Sequence, residues 1–169
     1  MRNKEDIKIS SYEVEQRVFT YSYYVGEARR SSGLPLKLAA NIQASSDDHL
    51  QLNDHMTVAT SELVKIINSI SCVCSHYTQP DETHDGYTLL IFSLMLPQYF
   101  PVHLVGELKN TITTFLVMRI LQQWFLQHKP DEATIIAAET EKIVIQLREL
   151  MNSRTKPYKL KRRTNNIEI

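Results

Sequence analysis

Four side chains of the zinc-ligating type fall within thirteen residues: Cys72, Cys74, His76 and His84. Zinc takes four nitrogen or sulfur donors in a tetrahedron, so the set is chemically sufficient. Its spacing is that of no standard zinc module, however. The alternative is that Cys72 and Cys74 close a helix as small buried thiols. A second group comprises Asp47, Asp48, His49, Asp54 and His55. On a helix Asp48 and His55 share a face, whereas His49 and Asp54 do not. No glycine elbow or apolar pocket adjoins them in sequence, as an activated nucleophile or a general base would need. Acids at a helix start complement the positive end of its dipole, and that is the role expected here. No catalytic residue, metal ligand or cofactor is therefore assigned, and the chain is not expected to be an enzyme.

A third group is basic. Arg154, Lys156, Lys159, Lys161, Arg162 and Arg163 fall within ten residues, with Tyr158 among them. Such a segment can neutralise phosphates without sequence preference. It can equally dock on an acidic protein surface, or simply remain solvated. Residues 154–169 hold six Lys/Arg and one acid, which leaves thirteen Lys/Arg and eighteen acids in residues 1–153. The formal charge of zero thus hides an acidic body with a basic end.

The elements that must position these groups read as one domain over residues 1–153, followed by a flexible basic tail over 154–169. A chain of 169 residues buries roughly 70% of its unfolded surface and needs no metal or disulfide to fold. Hydrophobic residues make up 43% and charged residues 22%, as in an ordinary globular protein. Four glycines, against an average of about 7%, argue against phosphate loops and nucleophile elbows. Two cysteines make no disulfide framework, the first ten residues have no apolar core, and Thr114–Leu126 is too short and too polar to span a bilayer. A soluble chain made in a reducing compartment is expected.

Residues 12–30 carry Val14, Val18, Tyr21 and Val25 on one helical stripe, stopped by Gly33 and Pro35. A loop follows over 33–45, with a helical turn at Leu36–Ile42. Ser45 or Ser46 caps a second helix, whose seam is Leu52, Met56, Ala59, Leu63, Ile66 and Ile70. Residues 75–86 read as a polar surface loop. The apolar run Tyr87–Leu96 reads as a buried strand, and Asp6–Ser10 is its only partner candidate within the chain. Without that pairing the partner lies in another subunit.

Pro101 opens a third helix over 102–127, lined by Leu108, Ile112, Phe115, Leu116, Ile120, Trp124 and Phe125. It is apolar on most sides, so it is either central or half-exposed at an interface. Pro130 opens a fourth, with Ala133, Ile136, Ala137, Thr140, Ile143, Leu147 and Leu150 on its stripe. The short turn between them makes the two antiparallel neighbours. The expected fold is mainly α: a four-helix antiparallel bundle-like domain with a minor β element and a basic C-terminal tail. Phe92, Leu94, Arg119, Trp124 and Phe125 are candidate oligomer contacts, since large aromatics anchor interfaces as well as cores and Arg119 can pair an acid across one. Arg119 can also snorkel at the edge of its own apolar face.

The order of these elements carries a resemblance over about residues 45–163. An acid-started helix at Asp47-Asp48 precedes a strand ending in Leu96-Pro97. A long apolar helix then runs into Gln123-Trp124-Phe125, a Lys129-Pro130-Asp131-Glu132 turn and a closing helix with the basic Arg154–Arg163 end. This layout resembles the small head–tail connector (adaptor or neck) proteins of tailed bacteriophages; the longer first helix and the His-bearing segment 76–84 depart from it. The resemblance implies a non-enzymatic virion protein. It would form a homo-oligomeric ring of twelve copies, joining the portal protein to neighbouring tail or neck proteins and lining the DNA channel. Head-to-tail contacts that close by rotation would build such a ring. The basic residues Arg154, Lys156, Lys159, Lys161, Arg162 and Arg163, with Tyr158, would then meet the portal or, without sequence preference, DNA. The alternative from the residues alone is a nucleic-acid-binding helical module acting through that tail.

Overall fold

The computed structural model describes residues 3–33, 35, 40–70 and 74–153. Strand β1 (Asn3–Ser10) runs directly into helix α1 (Ser11–Ser31). A 3-10 turn (Ser46–Asp48) leads into α2 (His49–Ser69). Strands β2 (Cys74–Pro80) and β3 (Thr88–Leu96) follow, then a second 3-10 turn (Val102–Leu104), α3 (Val105–His128) and α4 (Pro130–Asn152). The described residues are thus mainly helical, with a small antiparallel sheet in the order β1-β3-β2.

Helix α3 is the centre of the molecule. Leu108, Ile112, Phe115, Leu116, Ile120, Leu121, Trp124 and Phe125 are all buried, which needs neighbours on more than one side. Those neighbours are α4, α2 and α1. Of the two roles open to a helix apolar nearly all round, α3 takes the central one. Pro130 occupies the first turn of α4, where its missing N–H costs nothing, and α3 and α4 pack along their length as the short turn requires.

The sheet packs against α1, α2 and α3. β3 is its middle strand, with Ile7 opposite Phe92 and Ile9 opposite Leu90 on one side, and Cys74 opposite Leu94 and His76 opposite Phe92 on the other. Alternation sends Ile7, Ile9, Leu90, Phe92, Leu94, Leu96 and Cys74 to the helices. On the opposite face Ser93 donates a hydrogen bond to Asp6, and Lys4 pairs with Asp6. Lys4, Glu5, Asp6 and Lys8 make β1 a charged edge, which discourages further strands from adding to it.

Two expectations are corrected here. Residues 75–86 are not all loop, because 74–80 form edge strand β2. Its inward Cys74, His76 and Thr78 alternate with outward Ser75, Tyr77 and Gln79, and one-sided burial suffices for an edge strand with little hydrophobicity. The buried strand Thr88–Leu96 is paired within the chain on both sides, with β1 as expected and with β2 as well. It therefore needs no strand from a neighbour. Part of the expected turn at Leu36–Ile42, together with Cys72 and the segment Arg154–Arg163, lies outside the described residues.

Candidate interaction groove

Three local features assemble the site. The first is the β2–β3 connection. Asp81 N–H donates to the carbonyl of Tyr87, and Gly86 takes a φ of 81°, a left-handed turn that favours glycine. The Asp81 carboxylate accepts from Ser10 Oγ, from the Thr83 backbone N–H at 3.0 Å and from the Thr83 hydroxyl, with His84 Nδ1 at 3.2 Å. The hydrogen bond from Ser10, then those from Thr83 and His84, hold its pKa well below the usual carboxylate range. Ser10 precedes α1 but spends its hydroxyl on Asp81 instead of capping the helix.

The second feature is an aromatic and imidazole chain. Tyr12 stacks on His84 with centroids 4.1 Å apart and meets Tyr87 edge-on at 5.1 Å. Tyr87 meets His49 edge-on at 5.2 Å. His49 Nδ1 reaches the buried carboxylate of Glu15 at 2.9 Å. Burial raises the Glu15 pKa against the opposing pull of His49 and Tyr87, and burial also raises that of the Tyr87 hydroxyl. Local sequence explains how Glu15 comes to be there. Ser11, Glu15, Ser22 and Gly26 form a second buried stripe on α1, polar or small, beside the apolar one. Ser22 Oγ on that stripe accepts the Ala44 N–H at 3.0 Å, which fixes the chain ahead of α2.

The third feature is the groove itself, about 780 Å³ between α1 and α3. Tyr12 and His84 close one end; Tyr21, Tyr24, Val117 and Met118 supply its apolar walls. Glu13 and Arg17, paired at 2.7 Å, mark its rim. Tyr24 is 67% exposed, so a large aromatic surface faces outward. A groove of this kind offers apolar area and hydroxyl groups to a partner side chain or helix.

The sequence-derived residues are distributed otherwise. Asp48 accepts from the backbone N–H of Ser45 at 2.9 Å and completes a capping box, the helix-start role expected of these acids. His49 turns from that cluster to Glu15 on α1. His55 sits half-buried on α2, where burial lowers its pKa. Cys74 is buried at the start of β2 with its N–H donated to Asn68 Oδ1 at 2.7 Å. His76 lies against Phe92 and His84 against Tyr12, each with its own partner. Among the described residues no group of three His, Cys, Asp or Glu side chains is arranged to hold a metal ion.

Of the candidate oligomer contacts, Phe92, Leu94 and Phe125 have no exposed surface and Trp124 has 2%. Trp124 Nε1 donates to the carbonyl of Ile42 at 2.8 Å. Arg119 forms a two-pronged pair with Glu62 of α2, one prong at 2.8 Å, so its acid comes from the same chain. All five thus make contacts inside the fold. Glu15, Tyr12, Tyr24 and Tyr87, which build the groove and its support, were not singled out by sequence reading. The 4-7-4 spacing of Ser11, Glu15, Ser22 and Gly26 was the available signal.

No helix among the described residues is long and apolar enough to cross a membrane. Comparison with protein-family models, curated proteins and solved structures gave no match for the chain.

Proposed function

We propose that this chain is a structural assembly protein, not an enzyme, which binds its partners through the α1–α3 groove. The observation that carries the reading is the groove wall: Tyr21, Tyr24, Val117 and Met118 line an apolar groove with Tyr24 exposed, closed at one end by the Tyr12–His84 stack that Asp81 anchors. Aromatic residues with low rotamer freedom make effective contact surfaces.

Within that class the proposed role is a head–tail connector at the neck of a tailed-phage virion. Supporting it is the order of α2, β3, α3, the Lys129–Glu132 turn and α4, in the sequence that suggested the family. Twelve copies would close a ring beneath the portal protein, each copy's groove receiving an apolar segment of its neighbour. The next tail or neck protein would seat on the ring. The basic residues Arg154–Arg163 would contact the portal or the DNA in the channel.

Mass photometry of the full chain, alone and with a purified portal protein, tests this. The expected result is a closed ring, or a portal-dependent one, that Tyr24→Glu abolishes while leaving the melting temperature unchanged. A chain that stays monomeric at every concentration and ignores the portal overturns the reading.

A further inference from the structure

The connection between β3 and α3 carries apolar surface that the fold leaves outside. No Asp, Glu, Lys or Arg occurs between Asp85 and Glu107. Within that stretch Phe100 and Pro101 are buried, whereas Tyr99 is 54% and Val102 80% exposed. The Phe100 N–H donates to the Pro97 carbonyl at 3.0 Å, and the Leu104 N–H to the Pro101 carbonyl at 2.9 Å. Two prolines of fixed φ, two turn hydrogen bonds and an aromatic anchor in the core hold the segment in one shape. Pro97–Leu104 is thus an apolar knob with little conformational freedom left to lose on binding.

Other exposed apolar side chains are placed differently. Val58 lies one helical turn from Asp54 and from Glu62, Ile135 from Asp131 and Glu139, and Ile145 from Glu141 and Glu149. Covering those positions would also take carboxylates out of water, which is costly. The knob carries no such charge.

The α1–α3 groove complements it. The groove walls Tyr21, Tyr24, Val117 and Met118 are uncharged, and the rim charges Glu13 and Arg17 already satisfy each other at 2.7 Å. An occupant therefore gains from apolar area and not from charge. Knob and groove are separate surfaces. None of residues 97–104 lines the groove, whose α3 residues start at Thr114. From Val105 to Thr114 the helix rises roughly 13 Å. The buried Phe100 pins the knob at that distance, so a copy cannot fill its own groove.

We infer that the segment received by the groove is the Pro97–Leu104 knob of a second copy, with Val102 and Tyr99 seated among Tyr21, Tyr24, Val117 and Met118. The inference rests on the groove reading above and names its occupant. Because knob and groove differ, the contact is heterologous: every copy gives one and takes one, and the series closes where the rotation allows.

Sedimentation velocity of the full chain tests the pairing by complementation. Val102→Glu spoils the knob and Tyr24→Glu the groove; both side chains are exposed, so melting temperatures should not change. The wild type should associate as its concentration rises. Each variant alone should need at least about ten-fold more protein to do so. Mixed in equal amounts, the two variants should form a one-to-one pair and nothing larger, since one intact knob and one intact groove remain. The inference is overturned if Val102→Glu associates like the wild type, if the mixture stays monomeric, or if the wild type stays monomeric throughout. Loss of self-association or of portal binding in Tyr24→Glu, with Val102→Glu unaffected, would keep the groove as the docking site and remove only this occupant.

Discussion

The imidazole of His49, in the first turn of α2, lies 2.9 Å from the carboxylate of Glu15 on α1, a side chain with 1% of its surface exposed. The Asn53 amide approaches the other ring nitrogen at 3.4 Å and can only donate to it. With Nε2 accepting from that amide, Nδ1–H donates a hydrogen bond to Glu15. This contact ties α1 to the start of α2 and holds Tyr87 behind the groove. Burial leaves Glu15 with a pKa raised above its ordinary value of 4.5. The folded state therefore holds the Glu15 carboxyl proton to higher pH than the unfolded state does. Its contribution falls as pH rises from the unfolded value through the folded one. Glu15→Gln keeps the shape and an oxygen acceptor but cannot titrate. Urea unfolding from pH 4 upward should show stability declining with pH in the wild type relative to Glu15→Gln. Parallel profiles for the two proteins would contradict this account of Glu15.

Asp81 has the opposite sign. Its hydrogen bonds from Ser10, Thr83 and His84 hold its pKa below the ordinary aspartate value of 3.8. Its contribution is complete above that value and is lost as pH falls through the lower, folded one. Asp81→Asn should reduce the melting temperature at neutral pH, and the gap should close in strong acid, where both side chains are neutral. The same change should loosen the Tyr12–His84 stack that closes the groove, seen as a shift of the His84 ring resonances. A gap that persists unchanged into strong acid would assign the effect to something other than charge.

How much of this was legible in the residues depends on the kind of pattern. The four helices follow from apolar spacing and from Pro130, because burial on one face leaves a periodic mark. The pairing of β1 with β3 was readable from Ile7 and Ile9. Strand β2 was not, since Cys74, His76 and Thr78 carry its inward face with little hydrophobicity, and Pro80-Asp81 beside them signals a turn. The candidate sites were less legible still. Cys74, His76 and His84 lie close in sequence but take separate partners, whereas Glu15 and His49 are separated by 34 positions and meet only because the fold brings the start of α2 to α1. Side-chain identity marks what could do chemistry, while tertiary packing decides which groups meet.

Arg119 illustrates the same point and can be tested by a mutant cycle. Its guanidinium faces the Glu62 carboxylate with two prongs and also donates to the Gln122 side chain, joining α2 to α3. Both partners of the pair are partly exposed, 27% and 34%, so solvent screens the attraction. A double-mutant cycle with Arg119→Met and Glu62→Gln should give a coupling of about 1 kcal/mol. Arg119→Lys should recover only part of it, because a lysine cannot present two donors in a plane. The coupling should not depend on protein concentration. If it appeared only at concentrations where copies associate, Arg119 would belong to an interface between subunits.

Trp124 and Ser22 hold the residues ahead of α2 from two sides. Trp124 Nε1 donates to the Ile42 carbonyl, and Ser22 Oγ accepts from the Ala44 N–H. Trp124→Phe would leave a buried carbonyl unpaired and remove part of the stack on His128, costing about 3 kcal/mol. Ser22→Ala should cost about 1 kcal/mol. Hydrogen exchange should accelerate at Ala44 in both variants by more than global destabilisation accounts for. Equal acceleration throughout the core would mean that neither contact acts locally.

The seam of α2 separates periodicity from actual packing. Steps of four and three from Leu52 lead to Leu63 and then Ile66 by sequence, but Ile67 is the residue with no exposed surface, while Ile66 lies half-buried at its side. The reason is geometric. With 3.6 residues per turn Ile67 lies between the buried Met56 and Thr60 around the helix, whereas Ile66 lies on the other flank of the stripe, beyond Ala59. Ile67→Ala should therefore cost about 2–5 kcal/mol by opening a cavity, and Ile66→Ala about 1 kcal/mol. Both substitutions sit in the same turn and share the same helix propensities, so the difference between them isolates burial. Equal losses in urea unfolding would place the two isoleucines on the same footing and contradict this account of the buried face of α2.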